Sequence, residues 1–125
     1  MRFMLIVKPP AAAYAGVPDP KELAAMGRYN DELRRAGVLL EVNGLAPTAQ
    51  GAKVKFNGAK RTVVDGPFSE AKEVIGGYLI IEARSKEEAL ECAKQMPFGT
   101  EVHPGQEVEV ELRQIHELED LGVSR

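Results

Sequence analysis

The chain is poor in the residues that usually announce chemistry: one cysteine, two histidines and no tryptophan among 125 residues. A lone Cys92 closes no internal disulfide, which fits a reducing compartment and points to a cytoplasmic protein. Cys92, His103 and His116 share no ligand spacing, and there is neither an HxH nor a CxxC pair, so no metal site is expected. No apolar run approaches the roughly 18 residues that a spanning helix needs, so no membrane association is expected. Residues 1–8 are too short for a secretory leader and have no small-residue cleavage site before the domain begins, so no signal peptide is expected. A net charge of −3, with few aromatics and no basic patch among them, argues against nucleic-acid binding. There is no GxSxG elbow and no glycine-rich loop opening a helix, so neither a serine nucleophile nor a cofactor is expected.

What is present is an ordinary globular composition, 44% hydrophobic and 28% charged, expected to form one domain over residues 1–125. Residues 3–8 are almost continuously apolar, and so are residues 78–83 apart from Glu82. Both read as strands buried on both faces. Two helices cover one face of a sheet, so the other face is expected to lie against a second copy, giving a homodimer, or else under a folded-back loop. Residues 9–18, rich in alanine, glycine and proline and holding Tyr14, read as a loop flapping over the sheet edge.

Asp19-Pro20-Lys21-Glu22 has the form of a capping box with proline at the first helical position. Leu23, Met26 and Leu33, with Ala25 and Ala36, supply the apolar stripe, and Gly37 the stop. Asn30 lies on that stripe, so its amide is either a structural hydrogen-bonder or a pocket group. Residues 38–42 read as a strand on which Glu41 and Asn43 point the same way as Leu39. Residues 53–56 and 60–65 read as a hairpin around an Asn57-Gly58 turn. Ser85-Lys86-Glu87-Glu88 caps a second helix, which closes before Pro97 and packs through Ala89, Cys92, Ala93 and Met96. Cys92 on that face reads as inert core. Residues 107–115 alternate Val108, Val110 and Leu112 inward with charged residues outward, a strand with one wet face. Strand, helix, strand, hairpin, strand, helix, strand is a ferredoxin-like α+β order with an inserted hairpin.

The densest chemistry lies at residues 65–78. Asp65 ends a β-branched run, Gly66-Pro67 turns the chain, and Glu70, Lys72 and Glu73 follow Phe68. Gly76-Gly77 then reopens a strand at Tyr78, a pair that often marks close approach of another backbone or a ligand. Asp65-Gly66-Pro67-Phe68, with Glu70, Lys72-Glu73 and Gly76-Gly77-Tyr78, resembles the signature of the DGPF-type proteins, a branch of the YCII-related family. Tyr29-Asn30-Asp31-Glu32-Leu33, Ala36-Gly37-Val38-Leu39-Leu40 and Gly44-Leu45-Ala46-Pro47 extend the resemblance over nearly the whole chain. It implies a ferredoxin-like domain dimerising through its sheet as a dimeric α+β barrel, and it implies no particular reaction. Some members of the wider family carry a His/Asp centre. Here Tyr29 stands near the position of the first-helix histidine, and Met96 precedes the proline where aspartate is usual, so that mechanism is not carried over.

Two functions follow. One is a homodimeric protein that binds or transforms a small organic compound between the first helix and the sheet. Asp65 and Glu73 are its candidate acid/base groups, and Tyr29, Asn30, Glu41, Asn43, Phe68 and Tyr78 its candidate ligand contacts. A carboxylate at a strand end beside a cleft can serve as a proton shuttle. Equally, Asp65 can cap its own turn while the neighbouring charges form exposed or intersubunit ion pairs. The other function is a noncatalytic interaction module, since DGPF-type proteins are often associated with extracytoplasmic-function sigma factors. His103, in a loop beside Pro104-Gly105, is not counted among the site residues.

Overall fold

The computed structural model describes residues 1–10, 19–68, 70 and 74–122. The order is β1 (Arg2–Lys8), α1 (Pro20–Arg35), β2 (Leu39–Gly44), β3 (Ala52–Asn57), β4 (Lys60–Asp65), β5 (Gly77–Glu82), α2 (Lys86–Lys94) and β6 (Glu109–Gln114). The main sheet runs β2-β5-β1-β6 with every neighbour antiparallel. Each helix therefore connects two strands that flank a third, the split βαβ arrangement of the ferredoxin-like α+β fold. The β3–β4 hairpin forms a separate two-stranded sheet.

The core lies between the helices and one face of the main sheet. Phe3, Leu5, Leu79 and Ile81 are its fully buried centre, joined by Tyr29 of α1 and by Ala89 and Met96 at α2. Along β1 the alternation is strict: Phe3, Leu5 and Val7 are buried, whereas Met4 and Ile6 on the reverse face are only half-covered. Tyr78 and Ile80 of β5 share that reverse face and are likewise half-covered. The doubly apolar strands expected from sequence therefore have one face sealed by helices and one left open in the single chain.

Three local expectations change. A bulge between Leu39 and Glu41 sets Leu39 opposite Ile81 but Glu41 opposite Ile80. The extra residue reverses the alternation, so Glu41 and Asn43 lie on the open face, across the sheet from Leu39. In the hairpin, Asn57 pairs with Lys60, so the two-residue loop is Gly58-Ala59 rather than Asn57-Gly58. Gly58 has φ +60° and Ala59 no positive φ, which suits a turn with glycine at the first loop position. At the start of α1, Asp19 accepts from the Lys21 N–H at 2.8 Å. Glu22 leaves the capping box and accepts the His103 backbone N–H at 2.9 Å.

Close backbone approaches account for two glycines of the motif stretch. A Cβ on Gly77 would lie 2.8 Å from the Asn43 carbonyl oxygen, because β5 and β2 meet there glycine to glycine. A Cβ on Gly66 would lie 1.6 Å from the Thr48 carbonyl oxygen. That contact seats the base of the hairpin on the short 3-10 turn Thr48–Gln50, where Gly66 N–H donates to the Gly51 carbonyl at 2.9 Å. The Gly66-Pro67 peptide is cis. The flap expected over residues 9–18, with Tyr14, falls largely outside the described residues.

Candidate functional site

A cleft of about 500 Å³ opens between the N-terminal half of α1, one end of the main sheet and the loop of residues 97–106. That volume suits a small organic molecule. Glu22, Met26 and Asn30 recur every four residues on α1 and so present one face to it. Val7, Val42 and Leu79 form an apolar floor, and Phe98, Val102 and His103 the far wall. The rim is fixed by backbone bonds, Leu45 N–H to the Gly76 carbonyl at 3.0 Å and Gly76 N–H to the Val7 carbonyl at 2.8 Å.

Three polar side chains stand out in this apolar setting. The Asn30 Oδ1 is buried and has no hydrogen-bond partner. The Glu22 carboxylate and the His103 imidazole, both mostly buried, approach to 3.9 Å between Oε1 and Nδ1. That is too long for a hydrogen bond. His103 has φ +49°, the only positive φ on a non-glycine residue among the described ones. Histidine tolerates this region better than most residues, at a cost on the order of 1 kcal/mol. The conformation is held by the Glu22 bond, by Gln106 N–H donating to the His103 carbonyl at 3.1 Å, and by parallel stacking of His103 on Phe98 at 6.5 Å between centroids. Strain at a residue facing a cleft directs attention to that residue.

The residues expected from sequence are distributed over four places. Asn30 lines the cleft, and Asn43 and Tyr78 border it. Glu41, Asn43 and Tyr78 also meet one another on the open sheet face, where the Asn43 amide donates to the Tyr78 hydroxyl at 3.0 Å and to Glu41 at 3.4 Å. Tyr29 is core: its hydroxyl donates to the Cys92 carbonyl at 2.6 Å, and burial, then the Cys92 sulfur, raises its pKa far above the ordinary phenol value. Burial, reinforced by Glu88 and Glu91, likewise raises the Cys92 thiol and keeps it protonated. Asp65 is exposed at the end of β4 and does not line the cleft. Phe68 lies beside it, half-buried, its N–H on the Thr48 hydroxyl at 3.2 Å and the Lys53 ammonium 4.4 Å from its ring centroid. Glu73 lies outside the described residues. Among the described residues, no group of three or more His, Cys, Asp or Glu is placed to hold a metal ion.

Sequence reasoning passed over Glu22 and His103. Glu22 was absorbed by an apparent capping box, and a histidine some 80 positions away gives no spacing to read. No sequence signal was available: only the structure shows that Asp19 caps the helix alone and that Glu22 turns to the His103 N–H.

The profile of the YCII-related domain matches residues 1–115. An uncharacterized protein of Rhizobium meliloti (strain 1021) is 29% identical over 85 residues, covering 68% of each chain. With the match running from β1 through β6, the chain belongs to the YCII-related family.

Proposed function

We propose that the protein binds a small, mainly apolar organic compound in the cleft between α1 and the sheet, and that Glu22 and His103 move a proton on it. The observation that carries this reading is the approach of a carboxylate and an imidazole to 3.9 Å in one apolar cavity that the Asn30 side chain also lines. The His103 imidazole exchanges the proton with the compound, and the Glu22 carboxylate lies beside it in the same apolar cavity. Asn30 orients the compound by accepting a hydrogen bond from its hydroxyl or amine once the side chain turns into the cleft. Asp65, the acid favoured from sequence, is assigned instead to the hairpin base.

We further infer a cytoplasmic homodimer in which a second copy covers the half-exposed Met4, Ile6 and Ile80. The Asp65-Gly66-Pro67-Phe68 run supports placement in the DGPF-type branch. A fragment screen followed by amide chemical shifts tests the binding site. Hits should perturb Met26, Asn30, Val102 and His103, and His103→Gln should abolish any proton-transfer activity while fragments still bind. Hits that perturb only the hairpin or only the open sheet face would refute the assignment.

A further inference from the structure

Among the described residues lining the cleft, Glu22 is the one carboxylate, and none is a lysine or arginine. Of the carboxylates that meet a basic group among the described residues, Glu22 has the most buried side chain, 22% exposed. The next two, Glu117 at 28% and Glu111 at 37%, form full ion pairs with Arg2 and Lys8, each at 2.7 Å. Glu22 has only the His103 backbone N–H on Oε1 and, at 3.9 Å, an imidazole that is a cation only when protonated. No hydrogen bond from a described residue reaches Oε2. The N-terminal end of α1 supplies partial positive charge, but Asp19 occupies the cap and shares it. A carboxylate withdrawn from water is ordinarily paired, and this one faces a cavity instead.

We infer that the compound held in the cleft is an apolar amine, bound in its ammonium form with an N–H on Glu22 Oε2. A compound that fills the cleft displaces water from the carboxylate, and a charged donor replaces that water better than a neutral one. A carboxylate or phosphate on the compound would set like charge beside like between apolar walls, with no lysine or arginine of the lining to offset it. A metal ion fits less well than an ammonium. It takes several ligands, and no three of His, Cys, Asp or Glu stand together for one among the described residues. The walls fix the rest of the molecule, since Val7, Met26, Val42 and Leu79 accept hydrocarbon. The inference rests on the binding reading above and narrows its compound to one charge class.

Amide-shift titrations of the full chain with benzylamine, benzyl alcohol and benzoate at neutral pH test it, since the three share a ring and differ in charge. Benzylamine should shift Met26, Asn30, Val102 and His103 and bind at least about tenfold more tightly than the alcohol, the gain of a charged over a neutral hydrogen bond. Benzoate should shift none of them. Glu22→Gln keeps an acceptor for the His103 N–H and should lower benzylamine to the affinity of the alcohol. Unchanged Phe98 and Val102 shifts show that the loop stays seated in this variant; if it moves, the order of the three probes on the wild type decides alone. Glu87→Gln, at an exposed position of α2, makes the same change in net charge and should leave benzylamine binding as it is. Equal affinity for amine and alcohol, a preference for benzoate, or an amine preference that survives Glu22→Gln or falls equally in Glu87→Gln overturns the amine and leaves the cleft a binding site. If none of the three probes moves the cleft amides, the amine falls together with the binding reading.

Discussion

Replacing Asn30 by leucine is expected to make the protein more stable and less able to bind. The Asn30 Oδ1 is buried without a donor, and such an acceptor costs about 1–3 kcal/mol of desolvation. Leucine is close in size and sits naturally among the half-buried Met26 and Leu33 of the same helix. It is also the better helix former by a few tenths of a kcal/mol, roughly. The sum is a gain of about 1–3 kcal/mol, equivalent to roughly 3–10 °C in Tm for a domain of this size. Urea unfolding followed by far-UV circular dichroism measures it, at fixed protein concentration because dimerisation adds a concentration-dependent contribution. An unchanged m-value would show that the surface exposed on unfolding is preserved and that the midpoint shift is a change in stability. Fragment binding at the cleft should weaken in parallel. If the leucine variant instead loses more than about 0.5 kcal/mol, the oxygen has a donor in solution and the amide is structural.

Other expectations can be checked on the same preparation. Tyr29→Phe removes the 2.6 Å bond to the Cys92 carbonyl and should cost about 1 kcal/mol in urea unfolding without altering fragment binding; an equal loss of binding would return Tyr29 to the site. Gly66→Ala drives a Cβ into the Thr48 carbonyl and should cost about 1–3 kcal/mol, with faster hydrogen exchange at Val54 and Val63; unchanged exchange would show that the base of the hairpin yields freely. The Glu111 carboxyl pKa is lowered by hydrogen bonds from Lys8 and then Arg113, so its contribution to stability is present above the unfolded carboxylate pKa and fades as pH falls through the lower folded value. Lys8→Met should therefore raise the Glu111 midpoint in a carboxyl-carbon NMR titration, and a midpoint that stays put would contradict the 2.7 Å ion pair.

The elements that could be read in the sequence are those whose signals are local. Asp19 and Ser85 cap the two helices as their side-chain chemistry requires, and Gly37 ends α1 at φ +73°. β1 and β5 were legible because unbroken apolar runs of that length have few other uses. Leu39 and Glu41 misled because a bulge is a property of the pairing: β5 sets the register, and nothing in the β2 residues announces the extra one. Tyr29 misled for a related reason. A phenol at a helical spacing fits a pocket as well as a core, and only the distant Cys92 carbonyl decides between them.

The cleft was harder to read because it is assembled across the chain rather than written in one stretch. Charge and glycine gather at residues 65–78, yet Gly66 and Gly77 are explained by neighbouring backbone, which is a packing demand and not a ligand. The polar atom without that kind of explanation lies elsewhere, at Asn30, and the Glu22–His103 contact joins segments about 80 residues apart. A conspicuous motif can thus mark where a fold is tight, while the groups left over once the fold is satisfied mark where chemistry is available. Here Asn30, Glu22 and His103 line one cavity, and His103 holds a positive φ there.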